Sequence, residues 1–366
     1  MIYNDFKLER YFAQYEFTAK YLLSSSDCES MSISDLLAYS SGSLDELQKV
    51  WLGYSESKGH PVLRTQIART YQSMSEGNIL VHSGAQEAIF NFVHSFLNTD
   101  DHIIVLKPAY QSLFSLAEDR GLKVDSWKFK EKPEGWELDL NELKSLINSK
   151  TKAIVVNFPH NPTGFNPSLE MFTSIIEICR EQDLYLFSDE VYRGLEYQSE
   201  TLPAACDLYE KAISLGVLSK AHGLAGLRTG WIATQCEAVL EKMARFKDFT
   251  TICHSAPSEF LSIIALEHQE KIIERNKNII RKNLAFASDF FQKHSNVFDW
   301  KPPMAGPIAF IGLKTESSDD FCKRMIEEQS IMILPSSVYD SGQKHIRIGF
   351  GRLNFIEILS HLGNFL

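Results

Sequence analysis

Leu218-Ser219-Lys220-Ala221-His222-Gly223-Leu224-Ala225-Gly226-Leu227-Arg228-Thr229-Gly230-Trp231 decides how the rest of the chain is read. One lysine stands among small residues and glycines, with an arginine eight positions on. A lysine on a solvated surface needs no such company. A lysine that forms an imine with a flat, phosphorylated molecule needs backbone turns around it and a fixed, forked cation for the phosphate.

Outward from that stretch, short apolar runs alternate with helical patterns from about residue 79 to 233. Strands are expected at Ile79-His82, His102-Leu106, Ala153-Phe158, Leu184-Ser188, Ala212-Leu215 and Trp231-Thr234. Helices are expected after Ala85, near Leu113-Arg120 and over Leu169-Gln182. This alternation predicts an α/β fold, a doubly wound and mostly parallel sheet covered by helices on both faces. Ligands bind such sheets at the carboxyl ends of the strands. Pro257 to His294 reads as a long, charged, solvated helix. The remainder carries strand patterns at Ile308-Ile311 and His345-Gly349 and two helices, which reads as a smaller α+β domain.

Four further motifs sit just after strand candidates. Ser83-Gly84-Ala85 opens a helix, so free N–H groups and the helix dipole can meet an anion. Lys107-Pro108-Ala109-Tyr110 ends in an aromatic. Phe158-Pro159-His160-Asn161-Pro162-Thr163-Gly164 combines a turn signal with an asparagine. Leu186-Phe187-Ser188-Asp189-Glu190-Val191-Tyr192-Arg193 places an aspartate at the end of a buried strand, where it is costly without a cationic partner.

Together and in this order, these motifs resemble the class I/II aminotransferases, the fold type I enzymes that use pyridoxal 5'-phosphate (PLP). The resemblance covers roughly residues 40 to 350. It implies that Lys220 forms the imine with the cofactor and moves the proton between the substrate's α-carbon and the cofactor. By the same resemblance Asp189 faces the ring nitrogen, Asn161 and Tyr192 hydrogen-bond the ring oxygen, and Tyr110 stacks on the ring. Ser83, Gly84, Ala85, Ser219 and Arg228 would cradle the phosphate. Val217 stands where many relatives carry a serine, which predicts one phosphate hydrogen bond fewer.

Tyr54 resembles the tyrosine that reaches the phosphate from a neighbouring subunit, which implies a homodimer. Arg347, in an alternating strand, matches the arginine that clamps the substrate carboxylate beside Asn161, with Arg352 the second choice. The resemblance places a large PLP-binding domain at 40-280 and a small domain at 1-39 with 281-366.

Specificity is less legible. Relatives selective for dicarboxylates carry an arginine near Phe249-Ser255, and this chain has none there. Ser24-Ser25-Ser26-Asp27-Cys28-Glu29-Ser30 replaces a glycine-containing substrate loop. Ser26 with Glu29 fits a helix capping box. The sharper alternative is that Asp27 or Glu29 faces a basic substrate side chain.

Composition bounds the rest. The chain has 366 residues, 44% of them hydrophobic and 11% aromatic, enough for a sizeable core. A formal net charge of −10 argues against nucleic acid or an anionic membrane as partner. The six cysteines form no Cys-x-x-Cys pair, no metal site is expected, and reduced thiols in a cytoplasmic protein fit. Met1-Ile2-Tyr3-Asn4-Asp5-Phe6 shows no leader pattern. No apolar run approaches the roughly 18 residues of a membrane span.

The function expected is transfer of an amino group from an L-amino acid to a 2-oxo acid by ping-pong half-reactions. A β-lyase or cyclase on the same scaffold is the alternative. A PLP-binding regulator is disfavoured, because about 50 residues precede Tyr54 and no basic recognition helix is visible.

Overall fold

Residues 3–366 are described by a computed structural model; Met1 and Ile2 lie outside them. Seven strands form the large sheet: β1 (Ile79–Ser83), β2 (His102–Lys107), β3 (Lys123–Lys128), β4 (Thr151–Asn157), β5 (Tyr185–Asp189), β6 (Ala212–Val217) and β7 (Thr229–Ala233). Their order is β1-β7-β6-β5-β4-β2-β3. The pairs β2·β3, β2·β4, β4·β5 and β5·β6 are parallel. β4 to β6 are near-continuous apolar runs because helices cover both faces of a parallel sheet. The edge strand β3, Lys-Val-Asp-Ser-Trp-Lys, has too weak an apolar pattern to stand out in the sequence, and only Trp127 is fully buried.

β7 alone runs antiparallel to its neighbours, with Thr229 opposite Ser83 and Gly230 opposite Val217. That reversal has a consequence for the site. The amino end of β7, and with it Arg228, arrives at the edge where the other strands end.

A second sheet, antiparallel and four-stranded, joins Phe298–Asp299, Ile308–Leu313, His345–Gly349 and Leu334–Pro335. The helices Ser318–Gln329 and Phe355–Gly363 accompany it. The N-terminal segment joins this region: Tyr21–Leu22 pairs in parallel with Ile331–Met332. Next, Leu23 O accepts a hydrogen bond from Gly349 N at 2.7 Å. A Cβ at Gly349 would fall 1.6 Å from Ser25 O, so only glycine lets the two backbones cross there.

Three expectations need correction. The helix near Leu113-Arg120 is a 3-10 turn, Gln111–Leu113, followed by one short helix, Ser115–Asp119. The pattern from Pro257 to His294 is two helices, Ala256–Glu267 and Gln269–Lys293, with His268 between them. The second is more than a solvated rod. Its buried face carries Ile272, Ile280, Leu284 and Phe291, and two asparagines tie distant loops together. Asn276 Nδ2 donates to Ala221 O at 2.9 Å, beside Lys220, and Asn283 Nδ2 donates to Phe350 O and Arg352 O at 2.9 and 2.7 Å. Finally, Ser26 and Glu29 form no capping box. That motif lies six residues later, where Ser32 and Asp35 cap the helix Ile33–Leu37. Ser24 to Ser30 is extended loop.

Candidate active site

The carboxyl ends of the large sheet and the strand His345–Gly349 converge on one cavity of about 380 Å³. Ala85, Tyr110, Asn161, Asp189, Tyr192, Ser219, Lys220, Arg228 and Arg347 all line it. They come from loops that follow β1, β2, β4, β5 and β6, from the turn before β7, and from the second sheet. Residues scattered over 260 positions meet because strand ends in a parallel sheet share one edge.

Lys220 lies three residues past β6. Its Nζ donates to Ser26 Oγ at 2.9 Å. Burial lowers the pKa of this ammonium, against the pull of Asp27, Glu9 and Asp189. That makes a neutral, nucleophilic amine more accessible than on an open lysine. Asp189 closes β5 and is 5% exposed. Burial pushes its carboxyl up to about 7, despite a hydrogen bond from Val191 N at 3.2 Å and the charge of Lys220. A carboxylate so placed favours any cation that enters beside it.

One strand away, Asn157 pairs in register with Asp189. Its Nδ2 donates to Asp189 O at 2.9 Å, and its Oδ1 accepts from Asn161 N at 2.8 Å. Asn157 therefore holds two of the expected residues in one frame and itself lines the cavity. The reading from sequence missed it, although an asparagine closing an apolar strand was the available signal. The peptide bonds before Pro108, Pro159 and Pro162 are cis.

At the β1 end, Gly84 has φ +81° and precedes the helix Ala85–Phe96. A Cβ there would fall 2.5 Å from Arg228 Nη2, so the missing side chain lets the guanidinium lie against the helix N-terminus. Arg228 itself adopts a left-handed conformation, φ +53°. Arg228, the helix N-terminus and Ser219 together form a cationic, donor-rich corner. Among the described residues, the Ser219 hydroxyl is buried without a hydrogen-bond partner. Val217 lines the same cavity with no polar group to offer.

Arg347 is 1% exposed. Nη2 donates to Ser24 O at 2.6 Å, and Nη1 to Tyr339 Oη and to Asn161 Oδ1 at 3.3 Å. Nε has no partner. Tyr339 also donates to Asn161 Oδ1 at 3.1 Å. A guanidinium this buried and still incompletely bonded suits a carboxylate.

Some expected residues are not brought together. Ser83 and Gly84 stand behind the cavity wall; Ser83 N donates to Glu87 Oε2 at 2.5 Å. Tyr54 is 85% exposed and does not line the cavity of its own chain. Arg352 is held by Asp27, with Nη2 at 2.9 Å from both carboxylate oxygens. Asp27 does line the cavity, but that pairing occupies it. Glu29 accepts from Leu353 N at 2.9 Å and lies outside the lining. Asp27 is thus already paired and Glu29 stands away from the cavity, so this loop presents no unpaired carboxylate there to the basic side chain expected. Instead the N-terminal helix Lys7–Tyr15, unremarked in the sequence, brings Leu8, Glu9 and Phe12 to the cavity, with Glu16 at its end.

The family model for aminotransferase class I and II matches residues 23–356. The chain belongs to this family. Capreomycidine synthase from Streptomyces vinaceus is 27% identical over 351 residues, which is 95% of this chain and 88% of that protein. A PLP-dependent aminotransferase from Streptococcus suis 89-1591 superposes with a TM-score of 0.94 at 28% identity, covering 100% of this chain and 98% of that one. The PLP-dependent cyclase OrfR gives 0.93 at 25% identity, covering 100% and 98%.

This class I and II aminotransferase is thus an enzyme of the fold type I architecture, and its cofactor is PLP. The residues present fit that molecule. The orphaned Ser219 hydroxyl, the Gly84 gap filled by Arg228, and the buried Asp189 match a phosphate at one end and a ring nitrogen at the other. Among the described residues, no helix is long and apolar enough to cross a membrane.

Proposed function

We propose that this family member moves the amino group of an L-amino acid to a 2-oxo acid, in two half-reactions at one site. The observation that carries it is the joint presence in one cavity of a lysine, a buried aspartate and an arginine whose Nε lacks a partner among the described residues. When bound, PLP supplies a carbonyl carbon that takes up the amino group and a ring that accepts electrons.

The chain's own residues would do the rest. Lys220 would hold the cofactor and then carry a proton to and from the substrate's α-carbon. Asp189 would keep the ring nitrogen charged, a pairing worth roughly 5 kcal/mol before desolvation. Tyr110 would cover the ring face, and Asn161 and Tyr192 would donate to its oxygen. Ala85, Ser219 and Arg228 would take the phosphate, with Gly84 leaving the space in which the Arg228 guanidinium lies and Ser83, expected there too, standing behind the wall. Arg347 would grip the α-carboxylate, with Asn161 beside it.

Tyr54 would serve the phosphate of a second copy in a homodimer. The exposed Trp51, Leu52, Tyr54 and Phe249 support such an interface, since isolated chains rarely leave so many large apolar groups in water. Residues 40-280 would hold the cofactor, and 1-39 with 281-366 would carry the carboxylate clamp. A reduced cytoplasm suits the unpaired thiols.

The test is to add an amino donor alone to holoenzyme. Stoichiometric release of a 2-oxo acid, with the cofactor left in its amine form, supports transfer. Catalytic release of pyruvate and ammonia without acceptor overturns it in favour of a lyase. The relationship to capreomycidine synthase and to a PLP-dependent cyclase favours one second reading, ring closure on the same scaffold. It would appear as a product that retains its amino nitrogen.

A further inference from the structure

We propose that Glu9 and Glu16 form an anionic wall that selects an amino acid whose side chain ends in a cation, a guanidinium or ammonium on a methylene stem. This rests on the reading of the cavity as a PLP site in which Arg347 holds the substrate carboxylate.

The charges around the cavity sort into pairs until two remain. On that reading Arg228 faces phosphate, Asp189 the ring nitrogen, Lys220 the cofactor it holds, and Arg347 the α-carboxylate. Asp27 is bound by Arg352. Glu9 and Glu16 are then unmatched: among the described residues neither forms an ion pair. Glu9 Oε1 accepts only the Tyr110 hydroxyl, at 3.0 Å, which holds this carboxylate beside the aromatic expected to cover the ring. Glu16 is half-buried. Burial raises its pKa, and Asp27 and Glu9 raise it further, against Arg352 and Lys220. A carboxyl strained in this way gains from a cation supplied from outside.

The placement follows from helical spacing. Leu8, Phe12 and Glu16, with Glu9 alongside, recur at one and two turns and share one face. Two apolar groups flank two carboxylates, a surface suited to an aliphatic stem with a charged tip. That the cavity takes a ligand does not depend on the acidic pair. Arg347 and Ser219 both line it, and each carries a buried polar atom, Nε and the hydroxyl oxygen, without a partner among the described residues.

The experiment uses holoenzyme and two isosteric pairs, L-arginine against L-citrulline and L-lysine against 6-hydroxy-L-norleucine, read as the rate of the cofactor's spectral change. The expected result is a preference for each cationic member of roughly tenfold to a hundredfold in kcat/KM. In Glu9→Gln, Glu16→Gln and their double variant that ratio should collapse towards one. A wild-type ratio near one, which needs no variant to fold, overturns the proposal, as does a ratio unchanged in folded variants. Conversion of neutral or acidic amino acids with arginine and lysine inert overturns the acidic wall while leaving the PLP reading intact. If no amino acid changes the spectrum, the PLP reading itself has failed.

Discussion

The two walls of the cavity are built differently. The wall at the carboxyl edge of the large sheet is made of strand ends. Asp189, Asn157, Lys220 and Gly84 each sit within three residues of a strand, in fixed register, and mostly buried. The opposite wall is made of crossings between distant segments. Ser24 meets Arg347 across 323 positions, Asp27 meets Arg352 across 325, and Tyr110 meets Glu9 across 101. On the reading proposed above, the first wall would bond a cofactor common to a whole family. The second is assembled from the N-terminal segment and the second sheet, and it would contact the substrate, at its carboxylate through Arg347 and at its side chain through Glu9 and Glu16.

The contrast predicts where substitutions act. The largest effect should come from the sheet wall. Lys220→Ala should lower kcat by about 10²–10⁴-fold through loss of the proton carrier. Single-turnover spectra at saturating donor check it; a loss under tenfold would move the chemistry elsewhere.

Asp189 gives the next effect, through pH. In cofactor-free protein its carboxyl titrates near 7, against an ordinary 3.8. A raised pKa means that the folded state holds the proton more tightly than the unfolded one. The stabilisation is therefore full below about pH 4 and is lost as pH rises through 7, by up to about 4 kcal/mol. Thermal unfolding of the cofactor-free protein from pH 4 to 8 should show the decline, and Asp189→Asn should flatten it. PLP should restore wild-type stability at pH 8 more than it restores the variant's.

On the crossing wall, Gly349→Ala should cost about 1–3 kcal/mol, because the new methyl lands on Ser25 O and the loop must move. Thermal unfolding measures the cost. The comparison sharpens if KM for the amino donor rises while cofactor affinity holds; it breaks if cofactor affinity falls first. The smallest effect should come from Val217→Ser. A hydroxyl beside Ser219 should add one hydrogen bond to the phosphate, about 0.5–1.5 kcal/mol, or roughly two- to tenfold in PLP affinity by equilibrium dialysis.

The difference between the walls also explains what could be read in advance. Lys220, Asp189, Asn161, Tyr192, Tyr110 and Arg228 carry their cues nearby: a glycine, a turn, or the end of an apolar run. Period-two apolar runs and turn residues act over a few positions, so six strands of the large sheet and the helices Ala85–Phe96 and Leu169–Glu181 were legible, while Leu140–Leu146 and Glu237–Lys247 were not read. The edge strand Lys123–Lys128 was not, since a half-exposed edge needs no continuous apolar run. Ser26, Asp27 and Glu29 were misplaced for the complementary reason. A capping box and a substrate-facing carboxylate look alike in one dimension, and the partners that decide between them, Lys220, Arg352 and Leu353, lie about two to three hundred residues away.

Local pattern thus carried the α/β architecture and the positions of six strands along the chain, and the family resemblance singled out Lys220 and Asp189, which meet in one cavity. Contacts in three dimensions alone decided that β7 reverses to deliver Arg228, that Asn157 frames Asp189 and Asn161, and that the N-terminal helix turns Glu9 and Glu16 into the cavity. The first group depends on interactions between neighbours along the chain. The second depends on burial and electrostatics between segments that meet only once the sheets have packed, and no short-range propensity encodes such a meeting.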